Sequence, residues 1–296
     1  MNSSLSSANR HSPNPETAYL VRCISNLPTL SPVLHRISAL ISDPQANARS
    51  VAEALKLDPA ITGKVLRLAN SAYIGIPRTV SSLHNAIVLL GTKRIYSLVM
   101  AASLMSSFRK SDRGSLNLMN YWRHSMTTAL VAESIAKHIK RYEDIDSEEV
   151  FTAGIVHDIG KLVLGGYDPE ELSRVNIKAA EQQLPFFEAE EPQVSHTLIG
   201  GYLADHWNFP DDLGEAITCH HLLTRAEAHL RLVSIIHVAD IMVHMLGYQT
   251  HESELIPQLH QDALASVKIV PERLKVIAQD VVKNAKQLEA LINFMA

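Results

Sequence analysis

Apolar positions recur three and four apart along most of this chain, and no segment sustains the two-residue alternation of a half-buried strand. Val33, Leu34, Ile37, Leu40 and Ile41 make one such stripe after Ser31-Pro32, a capping hydroxyl followed by a first-turn proline. Asp43-Pro44 ends that helix. The pattern predicts a second helix over about 48–56, with Val51, Ala52 and Leu55 inward. A third opens at Asp58-Pro59 and carries Ile61, Val65, Leu66 and Leu68. Gly75-Ile76-Pro77 reads as a loop. Ser81 or Ser82 opens the next helix, with Ile87, Val88, Leu89 and Leu90 before Gly91, and a longer apolar helix covers about 92–108. The aliphatic positions of this first half are expected in the core.

A polar break at 110–115 (Lys-Ser-Asp-Arg-Gly-Ser) separates a second group of helices. The first, about 118–139, contains His124. The next is capped by Asp146, with Glu149 three residues on, and leads into His157-Asp158. Further helices are expected over 169–183 and 193–206, the latter with His196 and Gly200. One follows Pro210-Asp211-Asp212 to about 222 with His220 and His221, and another covers 226–246 with Asp240. Two more, 252–266 and 271–294, close the chain. The class is all-α. The divisions expected are a flexible Ser/Asn/Pro-rich tail over 1–16, an N-terminal helical subdomain over 17–112, a second helical subdomain over 113–250 and a helical extension over 251–296.

Composition narrows the function classes. The 296 residues carry a net charge of −4 and are 46% hydrophobic. The absence of a basic excess argues against a dedicated nucleic-acid reader. The tandem helices at 48–70 could mimic a helix-turn-helix, but the second carries only Lys64 and Arg67 as basic residues. No apolar run reaches the length of a membrane span, so a cytoplasmic protein with no membrane contact is expected. Cys23 and Cys219 lie in no metal or redox motif and are expected as reduced thiols.

The chain has 15 histidines. His124, His157, Asp158, His196, His220, His221 and Asp240 come from five predicted helices, and a bundle can turn such residues toward one centre. Imidazole and carboxylate ligands suit one or two divalent ions such as Fe, Mn, Zn or Co. Neighbouring residues on a helix diverge by about 100°, so His157 and Asp158 share a centre best at a helix end, which Gly160 is expected to provide. A bridging Asp158 is the arrangement of two-metal phosphate chemistry, and the Lys161 ammonium is placed to steady a phosphate oxygen. Asp158 and Lys161 are thus the candidate catalytic pair. Taken singly, each histidine reads as an ordinary surface or hydrogen-bonded residue. His237 and His244, on the face of Asp240, read equally as supports for the ligands or as surface. His35, His84, His138, His206, His229, His251 and His260 are given no role.

Several stretches together resemble the HDOD family, the HD-related output domain of bacterial signalling proteins. They are Leu27-Pro28, Asp58-Pro59-Ala60-Ile61-Thr62, Val65 through Ala72, Ala86 through Gly91, Tyr121-Trp122-Arg123-His124-Ser125, and His157-Asp158-Ile159-Gly160-Lys161. The resemblance implies an N-terminal helical bundle packed on an HD-like metal-binding bundle, with a regulatory role and a signalling protein partner. Many members of the family lack metal ligands, whereas this chain is similar to the HD-GYP phosphodiesterases of cyclic di-GMP at each ligand position. His124 matches the first histidine, His157-Asp158 the HD pair, Lys161 its lysine, His196 with Gly200 the His-x-x-x-Gly, His220-His221 the paired histidines, and Asp240 the last aspartate. The Gly-Tyr-Pro segment is absent: Leu222-Leu223-Thr224-Arg225 follows the paired histidines.

Three functions compete. The first is a regulatory module with a metal site that binds a nucleotide, a phosphodiester or a partner protein. The second is an active phosphohydrolase or phosphodiesterase acting on a nucleotide or cyclic dinucleotide. The third is a catalytically inert interaction domain. Metal content and turnover separate them.

Overall fold

Half of the helices described begin where a short polar side chain takes up free N–H groups of the first turn. The computed structural model describes residues 30–41, 43–71, 79–108, 116–140, 144–191, 194–251 and 254–295. The first bundle comprises α1 (Pro32–Ile41), α2 (Ala48–Leu55), α3 (Pro59–Ala69), α4 (Leu83–Leu90) and α5 (Thr92–Phe108). The Asn47 side chain accepts from the N–H groups of Arg49 and Ser50 ahead of α2, and Asp58 accepts from those of Ala60 and Ile61 ahead of α3. Gly91, at φ +83°, makes the left-handed turn that bends α5 away from α4 by 114°.

The second group comprises α6 (Leu118–Ile139), α7 (Ser147–Val156), α8 (Ile159–Tyr167), α9 (Pro169–Gln182), α10 (Phe186–Ala189), α11 (His196–His206), α12 (Asp211–Cys219) and α13 (Leu230–Met245). A 3-10 turn, Leu223–Arg225, joins the last two. Then come α14 (Gln261–Val267), α15 (Pro271–Lys283) and α16 (Ala285–Met295). Among the described residues every element is helical, and no single helix is long and apolar enough to cross a membrane. The all-α class holds.

Some boundaries differ from expectation for local reasons. The helix expected over 252–266 begins only at Gln261. Residues 254–260 are irregular, and Pro257 disfavours helix in the residue before it. The helix expected over 271–294 breaks at Asn284, whose side-chain amide donates to the Asp280 carbonyl at 2.8 Å. α12 stops at Cys219, so His220 and His221 lie in the turn beyond it, and α13 starts four residues later than expected. α8 and α10 are additional helices. In the first half Val88 and Leu89 face outward, not into the core. The tail over 1–16, Leu27-Pro28, Ala72, Cys23, the Gly75-Ile76-Pro77 loop and the break at 110–115 lie outside the described residues.

α6 is the axis of the second group and packs against α7, α13, α15 and α16. α5 packs on α1, α3 and α4 on one side and on α7 on the other, so the two halves share one hydrophobic core. A polar seam runs along the joint. Ser97 and Thr152 share a hydroxyl hydrogen bond at 2.6 Å, and Lys93 pairs with Asp146 at 2.5 Å and Glu149 at 2.8 Å. Arg94 pairs with Glu133 of α6, reaches Glu148 of α7 at 2.8 Å, and lies 4.0 Å over the Phe151 ring.

Candidate metal centre

The centre forms where α7 gives way to α8. His157 caps the C-terminus of α7, and Asp158 occupies the N-cap position of α8. Asp58, Asp146 and Asp168 in the same position each accept from their own helix, but Asp158 makes no side-chain cap bond. Its carboxylate is left free to face inward. The expected helix end is therefore at residues 157–158 and not at Gly160, which lies within α8. Gly160 has a different use: a Cβ there would sit 1.9 Å from the carbonyl oxygen of His196. That contact brings the start of α11 against α8 and sets His196 Nε2 3.2 Å from Asp158 Oδ1. Gly154 acts likewise on the other side, where a Cβ would meet the Ala129 backbone at 2.4 Å. α6 and α7 thus approach closely enough for the Nε2 atoms of His124 and His157 to lie 3.2 Å apart.

All seven residues singled out from the sequence meet here, in two sets joined by Asp158. Its Oδ2 lies 3.6 Å from Nε2 of both His124 and His157. Asp240 Oδ1 closes that set, 3.1 Å from His124 Nε2 and 3.8 Å from His157 Nε2. Asp158 Oδ1 faces His196 and, at 3.6 Å, His220 Nε2. His221 completes the second set, whose donor atoms all lie within 4.8 Å of one another. It is half-buried and stacks on Phe187 at 4.4 Å, whereas the other six residues are fully buried.

The outer ring nitrogens fix the tautomers. Nδ1 donates to the Tyr248 carbonyl from His124 (2.9 Å), to the Gly154 carbonyl from His157 (2.9 Å) and to the Ile217 carbonyl from His220 (3.0 Å). His196 donates Nδ1–H to Glu190 at 2.7 Å, and its backbone N–H goes to the other oxygen of the same carboxylate. Acceptors at Nδ1 put the proton there and aim the Nε2 lone pairs into the centre, the usual support of metal-ligating histidines.

A divalent ion fits what remains unsatisfied. Asp158 Oδ1, both oxygens of Asp240, Nε2 of His196 and His220, and Nδ1 of His221 make no aligned hydrogen bond, and Asp158 Oδ2 has the Lys161 ammonium at 2.9 Å. Four buried carboxylates, Asp158, Asp240, Glu190 and Glu254, face one buried ammonium, Lys161, and two imidazoles that they push toward the charged form, His196 and His244, so the carboxylates still outnumber the cations. Buried charge without compensation is costly, and cations on these donors supply the compensation. Nitrogen and oxygen donors of this kind suit borderline divalent ions.

The electrostatics agree. Burial alone would raise the Asp158 carboxyl, but Lys161, His157, His196 and His220 outweigh it and hold it well below the usual range. Asp240 is depressed in the same way by His244, His124 and His157. Burial pushes His124 down, His220 to about 4 and His221 well below the ordinary imidazole value. Burial also opposes charge on His196, but Glu190 and Asp158 raise it to about 9.

The sequence reading left several supporting residues without a firm role. His244, open between support and surface, is buried, with Nδ1 3.1 Å from Asp240 Oδ1 and Nε2 3.4 Å from Glu254. His237 is also buried. It donates to the His220 carbonyl at 2.7 Å and accepts the His260 N–H, so it fixes the turn that presents His220. The seven histidines given no role are all at least partly exposed. Glu190 and Glu254 were not singled out. The acidic run before His196 was a signal for the first, while nothing local marks Glu254.

Comparison with known proteins places this geometry in a family. The chain is 24% identical over 230 residues to an uncharacterized protein of Treponema pallidum, covering 77% of this chain and 44% of that one. It is 31% identical over 117 residues to ribonuclease Y of Mycoplasmoides gallisepticum, covering 38% and 16%. The chain thus spans less than half the length of either curated relative. The fold is shared with an HDOD domain protein of unknown function from Geobacter sulfurreducens (TM-score 0.77, 22% identity, 95% of this chain and 97% of that one). It is shared also with a proposed phosphohydrolase from Shewanella amazonensis (TM-score 0.73, 24% identity, 94% and 98%). A proposed signal transduction protein from Marinobacter aquaeolei has it too (TM-score 0.75, 18% identity, 95% and 65%). The profile of the HDOD domain matches residues 27–223, two-thirds of the sequence, and the chain belongs to the HDOD domain family.

Proposed function

We propose that this chain is a regulatory HDOD protein whose HD-type centre holds two divalent ions and binds a phosphate-bearing ligand, a nucleotide or phosphodiester. One observation carries the reading: the two oxygens of Asp158 face two separate buried histidine sets, and in the second of them Nε2 of His196 and of His220 and Nδ1 of His221 have no hydrogen-bond partner. When bound, the ions supply Lewis acidity toward a phosphoryl oxygen. The chain's own part is to hold the donors in one protonation state, keep the ligand cage buried, and present the Lys161 ammonium beside Asp158 at 2.9 Å.

α7 supports the regulatory half of the proposal. Its first turn carries Glu148 and Glu149, bound to Arg94 and Lys93 of α5, and its last residue adjoins His157. A rigid helix of about 15 Å therefore joins the N-terminal bundle to the ligand set. A signalling protein that moves the first bundle would act on the centre through this helix.

The second reading is a phosphohydrolase, favoured by the placement of Asp158 between both sets with Lys161 alongside. The experiment that separates them starts with elemental analysis of protein reconstituted with Mn or Fe. One to two ions per chain are expected, with at least one lost in Asp158→Ala. Far less than one ion per chain in the wild type overturns the centre. A panel of nucleotides and phosphodiesters then decides the role: binding without turnover supports the regulator, and turnover abolished by Asp158→Ala supports the hydrolase.

A further inference from the structure

Lys161 is the one buried ammonium at the centre, and its charge is already taken. Its Nζ lies 2.9 Å from Asp158 Oδ2 and donates to Glu254 Oε1 at 3.1 Å, 4.8 Å over the ring of Phe186. Glu254 arrives from the irregular segment beyond α13, outside the stretch matched to the HDOD domain. Its carboxylate is surrounded by donors. Oε2 accepts from the backbone N–H of Thr250 at 3.1 Å and from its hydroxyl at 2.7 Å. Oε1 faces Lys161 and, at 3.4 Å, Nε2 of His244. An N–H, a hydroxyl, an ammonium and an imidazole converging on two oxygens make a seat for an oxyanion.

We infer that Glu254 is an internal anion occupying the phosphate seat of the centre, so that a phosphoryl ligand reaches Lys161 only by displacing it. The inference rests on the metal reading above and adds its regulation. Two arguments support displacement over a purely structural role. Lys161 keeps Asp158 as a partner when Glu254 leaves, so no buried cation is stranded. The donors on Glu254 match those that a phosphoryl oxygen accepts, so the exchange leaves none unpaired. The carboxylate would then set a threshold: the centre responds only to a ligand whose own charge and contacts outweigh Glu254.

The test uses the full chain loaded with Mn, freed of excess metal and titrated with inorganic phosphate in a calorimeter. Glu254→Gln, which keeps the shape and removes the charge, should bind phosphate roughly tenfold or more tightly than the wild type. Adding Lys161→Met to Glu254→Gln should abolish that gain. Glu254→Ala is read alongside, so that either folded variant decides. Equal metal content with unchanged or weaker phosphate binding overturns the inference and leaves the metal reading standing. A gain that survives Lys161→Met overturns it as well, because the seat would not be at Lys161. Failure of both single variants to fold makes Glu254 a structural buttress and also overturns it. Absence of metal from wild type and variants alike removes the metal reading, and this inference with it.

Discussion

The two halves of this molecule use the same helical grammar for different interiors. In α1–α5 the large buried side chains include Leu34, Ile37, Leu55, Leu68, Ile87, Ile95, Met100 and Leu104, and the buried polar residues described there are two serines, Ser97 and Ser103. In the second half His124, His157, Asp158, His196, His220 and Asp240 are as deep as any leucine. Apolar burial stabilises the first half without further help, at about 25 cal/mol per Å² removed from water. The second interior works against folding, because charges leave water without full hydrogen bonding. Its arrangement is explained by what it can hold.

Large-to-small changes should separate the two interiors. Leu68 is fully buried among the helices of the first half. Leu68→Ala should lower stability by about 2–5 kcal/mol, read in urea unfolding, while metal per folded chain stays at the wild-type level. Loss of metal from the folded variant would show that the halves are not separable in this way.

The seam comes next. The Arg94 side chain is largely buried between Glu133 and Glu148, and burial beside Glu133 raises the Glu148 carboxyl even with Arg94 present. Arg94→Met strands Glu148, leaves Glu133 with Lys137 alone at 2.6 Å, and should cost about 1.5–3 kcal/mol, the range for charged hydrogen bonds. If α7 transmits strain to His157, the same variant should also weaken metal affinity. Stability loss with unchanged affinity would confine the seam to a structural role.

The two interiors also differed in how far the sequence revealed them. Ends of helices in the first half were readable because caps are local: Asp58-Pro59 and Ser82 mark α3 and α4 within a residue or two. The seven candidate ligands were readable as an ordered set, since each falls in a short motif that resembles its counterpart in a known family. The end of α7 at His157-Asp158 was readable too, from the apolar run that leads into the pair, but the immediate restart as α8 after the break was not, because Gly160 reads as a stop. Tertiary contact sets that break, through Gly160 and His196. Glu254 was invisible for a related reason: its partner Lys161 lies 93 residues away, and no pattern of neighbours reports so distant a pairing. Val88 and Leu89 misled in the opposite sense, since an apolar residue in a helix is not thereby a buried one.

Titration probes the polar interior from another side. His196, held at about 9 in the metal-free chain, carries a proton at neutral pH. Its folded value lies above the ordinary value of about 6.5. Its contribution to the stability of the metal-free chain is therefore complete below about pH 6.5 and disappears as pH rises through 9. Metal binding runs the other way, because the ion displaces that proton. Affinity should rise with pH up to about 9, by as much as tenfold per unit from this group. About one proton should be released from His196 per chain at pH 7, seen as a binding heat that varies with the ionisation enthalpy of the buffer. Glu190→Gln removes the main support of the charge and should reduce the release. A binding heat independent of buffer would show that His196 is already neutral.

The smallest effect is expected where the first half meets solvent. Leu89 is 58% exposed on α4, while Ala86 and Ile87 of the same helix are buried. Leu89→Gln keeps a good helix former and removes little buried surface, so the change in stability should stay within about 0.5 kcal/mol. Metal content should not move. The value of so small an effect is that it isolates the surface from the core beneath it: Leu68→Ala and Leu89→Gln change the same residue type in the same bundle and differ mainly in burial. A loss above about 1 kcal/mol at Leu89 would mean that this face is covered in solution, and the first half would then hold a contact surface beside its core.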